Sequence, residues 1–203
     1  MVDLRIETFS GADMARMLPA LARLRMVVFR DWPYLYDGDP GYEDTYLAAF
    51  AQARTAGLVV AFDGDVAVGC SSCLGLAEEE AALRAPFETR GIDPARVFYF
   101  GESVLLPAYR NRGLGVGFFA AREAHARRVS DCDFAAFCAV VRPADHPLKP
   151  PAAVPLDGFW RRRGFVPYPD LVCRMSWKQV DSTAAVENAL SFWMKPLREV
   201  SLP

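Results

Sequence analysis

The sequence predicts a mixed α/β domain, and three observations lead to that prediction. Segments that alternate apolar and polar residues, typical of strands, are interspersed with segments whose apolar residues repeat at helical spacing. An apolar run over residues 97–106 ends at Pro107 and leads through a glycine-rich turn into a helix. Of the 203 residues, 52% are hydrophobic, which is enough to bury a sizeable core. We therefore expect a single domain over residues 1–203.

Five elements are predicted before the central apolar strand: a strand, a helix in two pieces, a second helix, a hairpin and a third helix. They are placed at residues 2–6, 14–29, 43–54, 58–74 and 78–90. The first strand depends on apolar and charged residues that alternate, and the helices depend on apolar residues at helical spacing. Pro19 is expected to open the second piece of the first helix. The hairpin is predicted from the Asp-Gly pair at its turn.

The elements after the glycine-rich turn begin with its own helix and an apolar strand at residues 134–141. Residues 143–155 contain five prolines and predict a stiff loop without regular structure. A short helix at 158–165 and a last strand at 171–177 follow. We predict a C-terminal helical extension at residues 179–203. Its apolar stripe needs a partner surface, either this core or another subunit, so a homodimer is left open.

The glycine-rich turn is predicted to bind an anion. Its glycines are Gly113, Gly115 and Gly117. A helix start offers unpaired N–H groups and the positive end of the helix dipole, and glycines let an anion approach them. Arg110 and Arg112 add positive charge, which favours a diphosphate. A P-loop is excluded because Phe118 stands where that motif needs Lys. Alternatively, the glycines only permit a tight helix–strand contact.

Residues 107–119 resemble the acyl-CoA-binding motif of the GNAT superfamily of N-acyltransferases. That motif places Gly three residues after Arg or Gln, and Gly or Ala two residues further on; Arg110, Gly113 and Gly115 fill it in order. Residues 158–165 resemble the late helix of the same family. The resemblance implies a mixed, mostly antiparallel central sheet flanked by helices, in which one central strand splays from its neighbour. It also implies acetyl-CoA or another acyl-CoA as the co-substrate.

The resemblance implies roles for individual residues as well. The splayed strand would pair with the pantetheine arm, the loop amides would hold the pyrophosphate, and an N–H nearest Leu105 would stabilise the oxyanion. The implied cofactor-binding residues are Val104, Leu105, Leu106, Arg110, Asn111, Arg112, Gly113, Leu114, Gly115, Val116, Gly117, Phe118, Phe159 and Trp160. The sequence departs from the family at Trp160, where many members carry a tyrosine proposed as general acid. An indole N–H cannot usefully supply that proton, which leaves Tyr109 and Tyr168 as candidates.

Glu102 is an acid within an otherwise apolar strand. Charged residues are rarely buried, so we expect a structural or functional role for it. One hypothesis is a general base that removes the amine proton through a water molecule. The alternative is a buried structural hydrogen-bonding group. The predicted catalytic residues are therefore Glu102, Leu105 and Tyr109.

Residues 30–42 form a loop that is rich in aromatic and acidic residues. In the GNAT fold the segment between the first two helices borders the acyl acceptor, so the resemblance makes this loop the expected substrate wall. Its candidate contacts are Trp32, Tyr34, Tyr36 and Asp37. The acids Asp37 and Asp39 could attract an amine cation. The alternative is that the loop packs its own aromatic side chains.

Composition excludes several other classes of protein. A net charge of −2, from 23 basic and 25 acidic residues, argues against nonspecific nucleic-acid binding. No apolar stretch approaches ~20 residues and the N-terminus lacks a signal-peptide pattern, so we expect no membrane association and a cytoplasmic protein. Five irregularly spaced cysteines predict reduced thiols. The Cys70/Cys73 pair lacks a second ligand pair, so no metal site is expected.

These observations predict an acyltransferase that moves an acyl group directly from acyl-CoA to an amine of a small molecule or peptide. Direct transfer is favoured because no cysteine lies near a helix start with a histidine partner. The alternative is a noncatalytic CoA-binding or sensor module, which the tryptophan at position 160 favours. A nucleotide-dependent oxidoreductase is a more distant third interpretation.

Overall fold

A seven-stranded mixed sheet forms the centre of the protein in a computed structural model that describes residues 3–203. Val2, predicted to open the first strand, lies outside the described residues. The strands are β1 (Leu4–Ser10), β2 (Gly57–Asp63), β3 (Val66–Gly75), β4 (Val97–Leu105), β5 (Phe134–Val140), β6 (Val166–Lys178) and β7 (Ala185–Pro196). The helices are α1 (Leu18–Val28), α2 (Pro40–Gln52), α3 (Ala81–Thr89), α4 (Leu114–Val129) and α5 (Asp157–Arg161). A 3₁₀ turn, Gly11–Met17, precedes α1 and accounts for the predicted two-piece helix.

The sheet order is β1-β2-β3-β4-β5-β7-β6, and every neighbouring pair is antiparallel except β4 with β5. This confirms the predicted mixed, mostly antiparallel sheet. The β4–β5 pairing joins residues 97–99 to residues 134–136 and goes no further, although both strands continue. The two strands therefore splay after Tyr99, as the resemblance implied.

Helices cover both faces of this sheet. On the first face, α1, α2 and α3 bury residues such as Leu24, Phe50 and Phe87 in the larger core cluster. On the second face, α4 and α5 contribute Phe119 and Phe159 to an aromatic cluster. None of the helices within residues 3–203 is long and apolar enough to cross a membrane.

A bulge in the middle of the sheet decides which way Glu102 points. Before it, Tyr99 belongs to the first-face core and Phe100 to the second. After it, even-numbered Val104 is on the first face, so the alternation has shifted by one residue. The β3–β4 register shifts at the same level. Two serines of β3 hold the bulge: Ser71 Oγ donates to the Glu102 carbonyl at 3.0 Å, and Ser72 Oγ accepts from the Glu102 N–H at 3.2 Å.

The predicted C-terminal helix is wrong. Residues 185–196 form β7, which lies between β5 and β6 and pairs with both. Leu190, Phe192 and Met194 face the first core cluster while Trp193 faces the second. Because this strand is buried on both faces, its apolar residues are nearly continuous and also match helical spacing. The strand at 171–177 is likewise part of a longer β6 and is not the last strand.

If β7 is an integral strand, truncating its core residues destabilises the whole protein. Phe192 is fully buried and packs edge-to-face on Phe87 at 4.8 Å between ring centroids. We expect Phe192→Ala to lower the free energy of unfolding by about 3–5 kcal/mol, measured by urea denaturation. Val186→Ala on the same strand is the control, because Val186 is 38% exposed, and it should cost about 0.5 kcal/mol. Equal small effects would mean that residues 185–196 are a peripheral appendage.

Candidate active site

The start of α4 has free backbone donors. Gly113 precedes the helix with φ +83°, and no side chain caps it. The N–H groups of Val116 and Gly117 both bond to the Gly113 carbonyl, at 3.0 and 3.1 Å. Within residues 3–203 the N–H groups of Leu114 and Gly115 have no acceptor. These two donors, at the positive end of a 16-residue helix, are available to an anion.

Glycine is required at these three positions for different structural reasons. Gly113 has a left-handed backbone and open space where a side chain would be. A Cβ on Gly115 would lie 3.3 Å from Phe159 Cζ, so the turn meets α5 there. A Cβ on Gly117 would overlap Ile6 of β1, so this glycine serves a tight helix–strand contact. The alternative interpretation of the glycines therefore applies at Gly117, where the N–H is also already bonded.

The two predicted arginines flank this turn and are exposed. Arg110 Nε donates to the Leu105 carbonyl at 3.3 Å, and the Arg112 guanidinium lies 5.5 Å from the centre of the Tyr109 ring. Neither arginine forms an ion pair with a carboxylate in the described part of the chain. Both remain free to neutralise a bound phosphate.

The backbone of Leu105 faces the gap between the splayed strands. The N–H groups of Glu102 and Leu106 point toward β3, where they bond to Ser72 Oγ and to the Val68 carbonyl. Successive backbone N–H groups of a strand alternate in direction, so the N–H of Leu105 points the other way, toward β5. Since β5 has diverged at this level, that edge of β4 is open.

Four other residues implied for the cofactor lie in three different places. Val104 and Phe118 are buried core residues. Phe159 lies beside Gly115, next to the anion site. Trp160 packs its indole against Phe137 and Trp193, with centroids 5.0 and 5.1 Å apart. It is therefore a packing residue on the second face.

A pocket of about 100 Å³ opens on the first face beside the splay. Gly101 and Glu102 of β4 and Cys138 of β5 all line it, so it borders the gap between those strands. Its aromatic walls are Phe29, Tyr34, Tyr36, Tyr42, Tyr46, Tyr99 and Trp177. Such a pocket offers apolar surface, aromatic faces and two carboxylates, Glu80 and Glu102.

Glu102 belongs to a buried ionic triad. Arg25 of α1 donates from Nη1 to Glu102 Oε2 at 2.7 Å and from Nε to Glu43 Oε2 at 2.6 Å. The exposed fractions of Arg25, Glu43 and Glu102 are 9%, 0% and 8%. Tyr46 donates to Glu102 Oε2 at 3.3 Å, and Tyr36 donates to Glu43 Oε1 at 3.0 Å. The structure therefore gives Glu102 both a structural partner and a place in the pocket wall.

The second oxygen of Glu102 differs from the first. Within residues 3–203, Glu102 Oε1 is buried and has no hydrogen-bond partner. Burial lowers the pKa of Arg25, but the charges of Glu102 and Glu43 outweigh that effect and raise it above its usual range. Arg25 is thus a permanent cation that holds Oε2 and leaves Oε1 free to accept a proton or a hydrogen bond.

The acceptor loop is only partly as predicted. Tyr34 and Tyr36 line the pocket, whereas Trp32 packs on His146 with centroids 5.2 Å apart. Asp37 does not line the pocket, because Lys178 and Arg30 hold its carboxylate at 2.7 and 2.6 Å. Hydrogen bonds from these two cations lower the pKa of Asp37. Its negative charge is therefore already neutralised.

The two phenols considered as general acids lie elsewhere. Tyr109 donates its hydroxyl to Asp63 at 2.8 Å and packs with the residues between α4 and the sheet, away from Glu102. That hydrogen bond raises the pKa of Tyr109. Tyr168 donates to the carbonyl of Pro203 at 3.1 Å. Neither Tyr109 nor Tyr168 lines the pocket that contains Glu102.

Sequence reasoning missed the other two members of the triad. Arg25 follows Leu21 and Leu24 on the buried side of α1. Glu43 precedes Leu47 and Phe50 at the i+4 and i+7 positions of α2. A charged residue on the apolar face of a predicted helix needs a buried partner. That signal was present in the sequence, but it does not identify which charges meet.

The same fold occurs in proteins of known structure. No protein-family model and no curated protein matches the sequence. A Brucella melitensis ribosomal-protein-alanine N-acetyltransferase superimposes with a TM-score of 0.59 at 14% identity, covering 95% of this chain and 99% of the other. A Salmonella typhimurium protein solved with its cofactor acetyl-CoA and assigned as an acetyltransferase gives 0.55 at 14% identity, covering 99% and 98%. A Desulfovibrio desulfuricans protein assigned to the GNAT family gives 0.57 at 13%, covering 97% and 100%.

These likenesses extend over nearly the whole chain in each case. The chain has the fold of the GNAT-family acetyltransferases. The resemblance seen in the sequence is confirmed at the level of fold.

Removing the guanidinium of Arg25 should destabilise the folded protein. In Arg25→Met, two buried carboxylates lose their common partner, and we expect the free energy of unfolding to fall by about 3–5 kcal/mol in urea denaturation. Arg23→Met on the same helix is the control, because Arg23 makes one hydrogen bond to the Ala67 carbonyl from an exposed position. It should cost no more than about 1 kcal/mol. Similar losses for both variants would contradict the buried triad.

Proposed function

We propose that this protein transfers an acyl group directly from acyl-CoA to an amine. The observation that supports this is the position of the splay between β4 and β5, which connects two sites of complementary chemistry. On the second face lies an uncapped helix start with free N–H groups. On the first face lies an aromatic pocket lined by Glu102, whose Oε1 is buried without a partner in residues 3–203. An acyl-CoA threaded through the gap would bring its thioester to the pocket.

The CoA half of this proposal assigns the diphosphate to the N–H groups of Leu114 and Gly115. Arg110 and Arg112 flank the turn and supply the positive charge. The pantetheine arm would pair with the open edge of β4, where the Leu105 backbone points toward the gap. As the acyl group is attacked, the same Leu105 N–H becomes the donor for the oxyanion.

The amine half assigns the proton transfer to Glu102. An alkyl ammonium has a pKa near ~10 and must lose a proton before it can attack. Glu102 lines the pocket, and its buried Oε1 has no hydrogen-bond partner within residues 3–203, so we assign this oxygen as the acceptor of that proton, directly or through one water. Arg25, Ser71 and Ser72 act through Glu102 and are positioning residues.

The competing proposal is a CoA-binding module without catalysis. The tryptophan at position 160 favours it, because the indole packs in an aromatic cluster and cannot protonate a departing thiolate. Turnover of an amine distinguishes the two proposals, whereas CoA affinity does not.

The anion site can be tested with a matched pair of variants at Gly115. In Gly115→Asp, a carboxylate at the helix start takes the place of the diphosphate and repels it, while remaining compatible with the helix dipole. We expect the CoA affinity to fall more than about 100-fold in calorimetry, which corresponds to about 2.7 kcal/mol.

Gly115→Ala controls for the contact with Phe159, because it adds the Cβ without the charge. It should weaken CoA by less than about tenfold. Equal CoA affinity in Gly115→Asp and Gly115→Ala would contradict the assignment of the diphosphate to this helix start.

The proposed base can be tested by Glu102→Gln. We expect kcat/KM for an amine acceptor to fall by about 10²–10⁴-fold while CoA affinity is kept, because the proton acceptor is lost and the proposed CoA site is unchanged. The variant also removes one charged partner of Arg25, which the control must reproduce. The control is Glu43→Gln, which removes the other charged partner of Arg25 but keeps Glu102, and it should reduce kcat/KM far less. The measurement is release of free CoA thiol from acetyl-CoA. Equal losses in the two variants would assign Glu102 to structure alone.

A further inference from the structure

We propose that Tyr34 gives its hydroxyl proton to the departing CoA thiolate, and that Arg142 positions Tyr34 for this step. The inference rests on the proposed function and deepens it, because it assigns the one proton transfer that still lacks a donor. The indole of Trp160 cannot release its proton, and neither Tyr109 nor Tyr168 lines the pocket. The donor must therefore come from another part of the pocket wall.

The tyrosines of the pocket differ in what their hydroxyls already bind. Five of them line it. The hydroxyls of Tyr36 and Tyr46 donate to the two carboxylates of the buried triad, at 3.0 and 3.3 Å, and that of Tyr99 lies 3.1 Å from a cysteine sulfur. Within residues 3–203 the hydroxyls of Tyr34 and Tyr42 have no hydrogen-bond partner. Tyr42 is 49% exposed to solvent, which leaves Tyr34 as the free phenol of the interior.

The hydroxyl of Tyr34 keeps accessible surface. In the described part of the chain, the buried polar side-chain atoms without a partner are Arg84 Nε, Glu102 Oε1 and Arg163 Nε. The Tyr34 hydroxyl has no partner and is not one of them, so it is not sealed inside the protein. Because Tyr34 lines the pocket, a ligand there can accept a hydrogen bond from this hydroxyl.

The surroundings of the hydroxyl place it at the splay. Gly101 and Glu102 of β4 and Cys138 of β5 line the pocket together with Tyr34, on the two sides of the gap. Burial raises the pKa of Tyr34, and the neighbouring Cys138 and Glu102 raise it further. The phenol therefore keeps its proton at neutral pH. It lies where the sulfur of a CoA threaded between β4 and β5 would end.

Both the ring and the backbone of Tyr34 are held in place. The ring packs against Phe29 and Trp177, with centroids 4.3 and 5.8 Å apart. The Tyr34 carbonyl accepts from Trp177 Nε1 at 2.9 Å and from Arg142 Nη2 at 3.0 Å. Arg142 Nε also donates to the Pro33 carbonyl at 2.7 Å. Arg142 follows β5 by two residues, so it ties the diverging strand to the loop that carries Tyr34.

Each proton in the proposed step has a source and a destination. Glu102 takes one from the ammonium, and the neutral amine attacks the thioester carbonyl. When the C–S bond breaks, its electron pair stays on sulfur, and the sulfur takes the proton of the Tyr34 hydroxyl. The nitrogen of the new amide still carries one surplus proton, which converts the phenolate back to a phenol. Glu102 then releases its proton to solvent.

The first test is Tyr34→Phe in the full-length protein, which removes the hydroxyl and keeps the ring. The substrates are acetyl-CoA and whichever primary alkylamine of two to six carbons gives the fastest release of CoA thiol. We expect kcat to fall by about 100-fold while the amine KM and the CoA affinity stay within about threefold, because the hydroxyl acts only on the leaving sulfur. The control is Tyr168→Phe, whose lost hydroxyl bonds to the Pro203 carbonyl outside the pocket, and it should keep kcat.

The second test needs no amine and no turnover. A phenol that donates a hydrogen bond to the CoA thiolate stabilises the charged form of the thiol. The ultraviolet absorbance of the thiolate, measured against pH in the complex with CoA, gives the pKa of the bound thiol. Tyr34→Phe should raise that pKa by about 1, since the donor is lost. Tyr168→Phe should leave it unchanged.

The role of Arg142 is tested by a double-mutant cycle. Arg142→Met should lower kcat at least about tenfold in the unmodified protein, because Tyr34 loses its clamp. In the Tyr34→Phe background the same change should lower kcat less than about twofold, because there is no hydroxyl left to position. Equal losses of kcat in the two backgrounds would reduce Arg142 to a general structural residue and overturn its assignment.

The outcomes separate this inference from the proposed function. Thiol release that is as fast in Tyr34→Phe as in the unmodified protein would leave acyl transfer standing and overturn the donor. A higher amine KM with kcat unchanged would overturn it as well, because Tyr34 would then be a binding wall only. No thiol release from the unmodified protein, with the pKa of the bound thiol still raised by Tyr34→Phe, would support the hydrogen bond to sulfur and reject the acyltransferase.

Discussion

Two adjacent parallel strands that stop pairing halfway along the sheet are the constraint on which the candidate site depends. β4 and β5 bond over three residue pairs and then diverge, which leaves the edge of β4 open from Phe100 to Leu105. The bulge opposite Ser71 and Ser72 shifts the alternation of side chains at the same level. As a result the carboxyl of Glu102 faces the aromatic pocket, while the backbone of Leu105 faces the gap. One local departure from regular pairing thus positions a carboxylate and a backbone donor together.

The buried triad fixes Glu102 at an energetic cost. Two carboxylates and a guanidinium are removed from water, and such groups rarely add net stability over a well-packed apolar core. What the triad provides here is orientation: one oxygen of Glu102 is held by Arg25 and Tyr46, and the other is buried beside the pocket without a partner in the described part of the chain. The net negative charge that results is the physical basis for a cationic acceptor.

The parts of the fold that the sequence predicts are those with strong local signals. The glycine turn, the Asp-Gly hairpin and the strand with Glu102 each depend on neighbouring residues, and the structure has all three. β7 was predicted as a helix because a strand buried on both faces loses its alternation. Asp37 was predicted at the acceptor because one of its partners, Lys178, is 141 residues away in the chain, while the other, Arg30, belongs to the same loop. Long-range pairing of charges cannot be read from local sequence patterns.

The most direct test of this account is the position of the CoA sulfur in a crystal structure of the protein bound to CoA. The account predicts that the pantetheine arm lies between β4 and β5, pairs with the Leu105 backbone, and ends with its sulfur at the pocket. An amine placed at the sulfur would then be within direct or one-water reach of Glu102 Oε1, about 3–6 Å away. A CoA bound on the outer surface, with β4 and β5 unoccupied between them and the sulfur more than about 10 Å from Glu102, would contradict it.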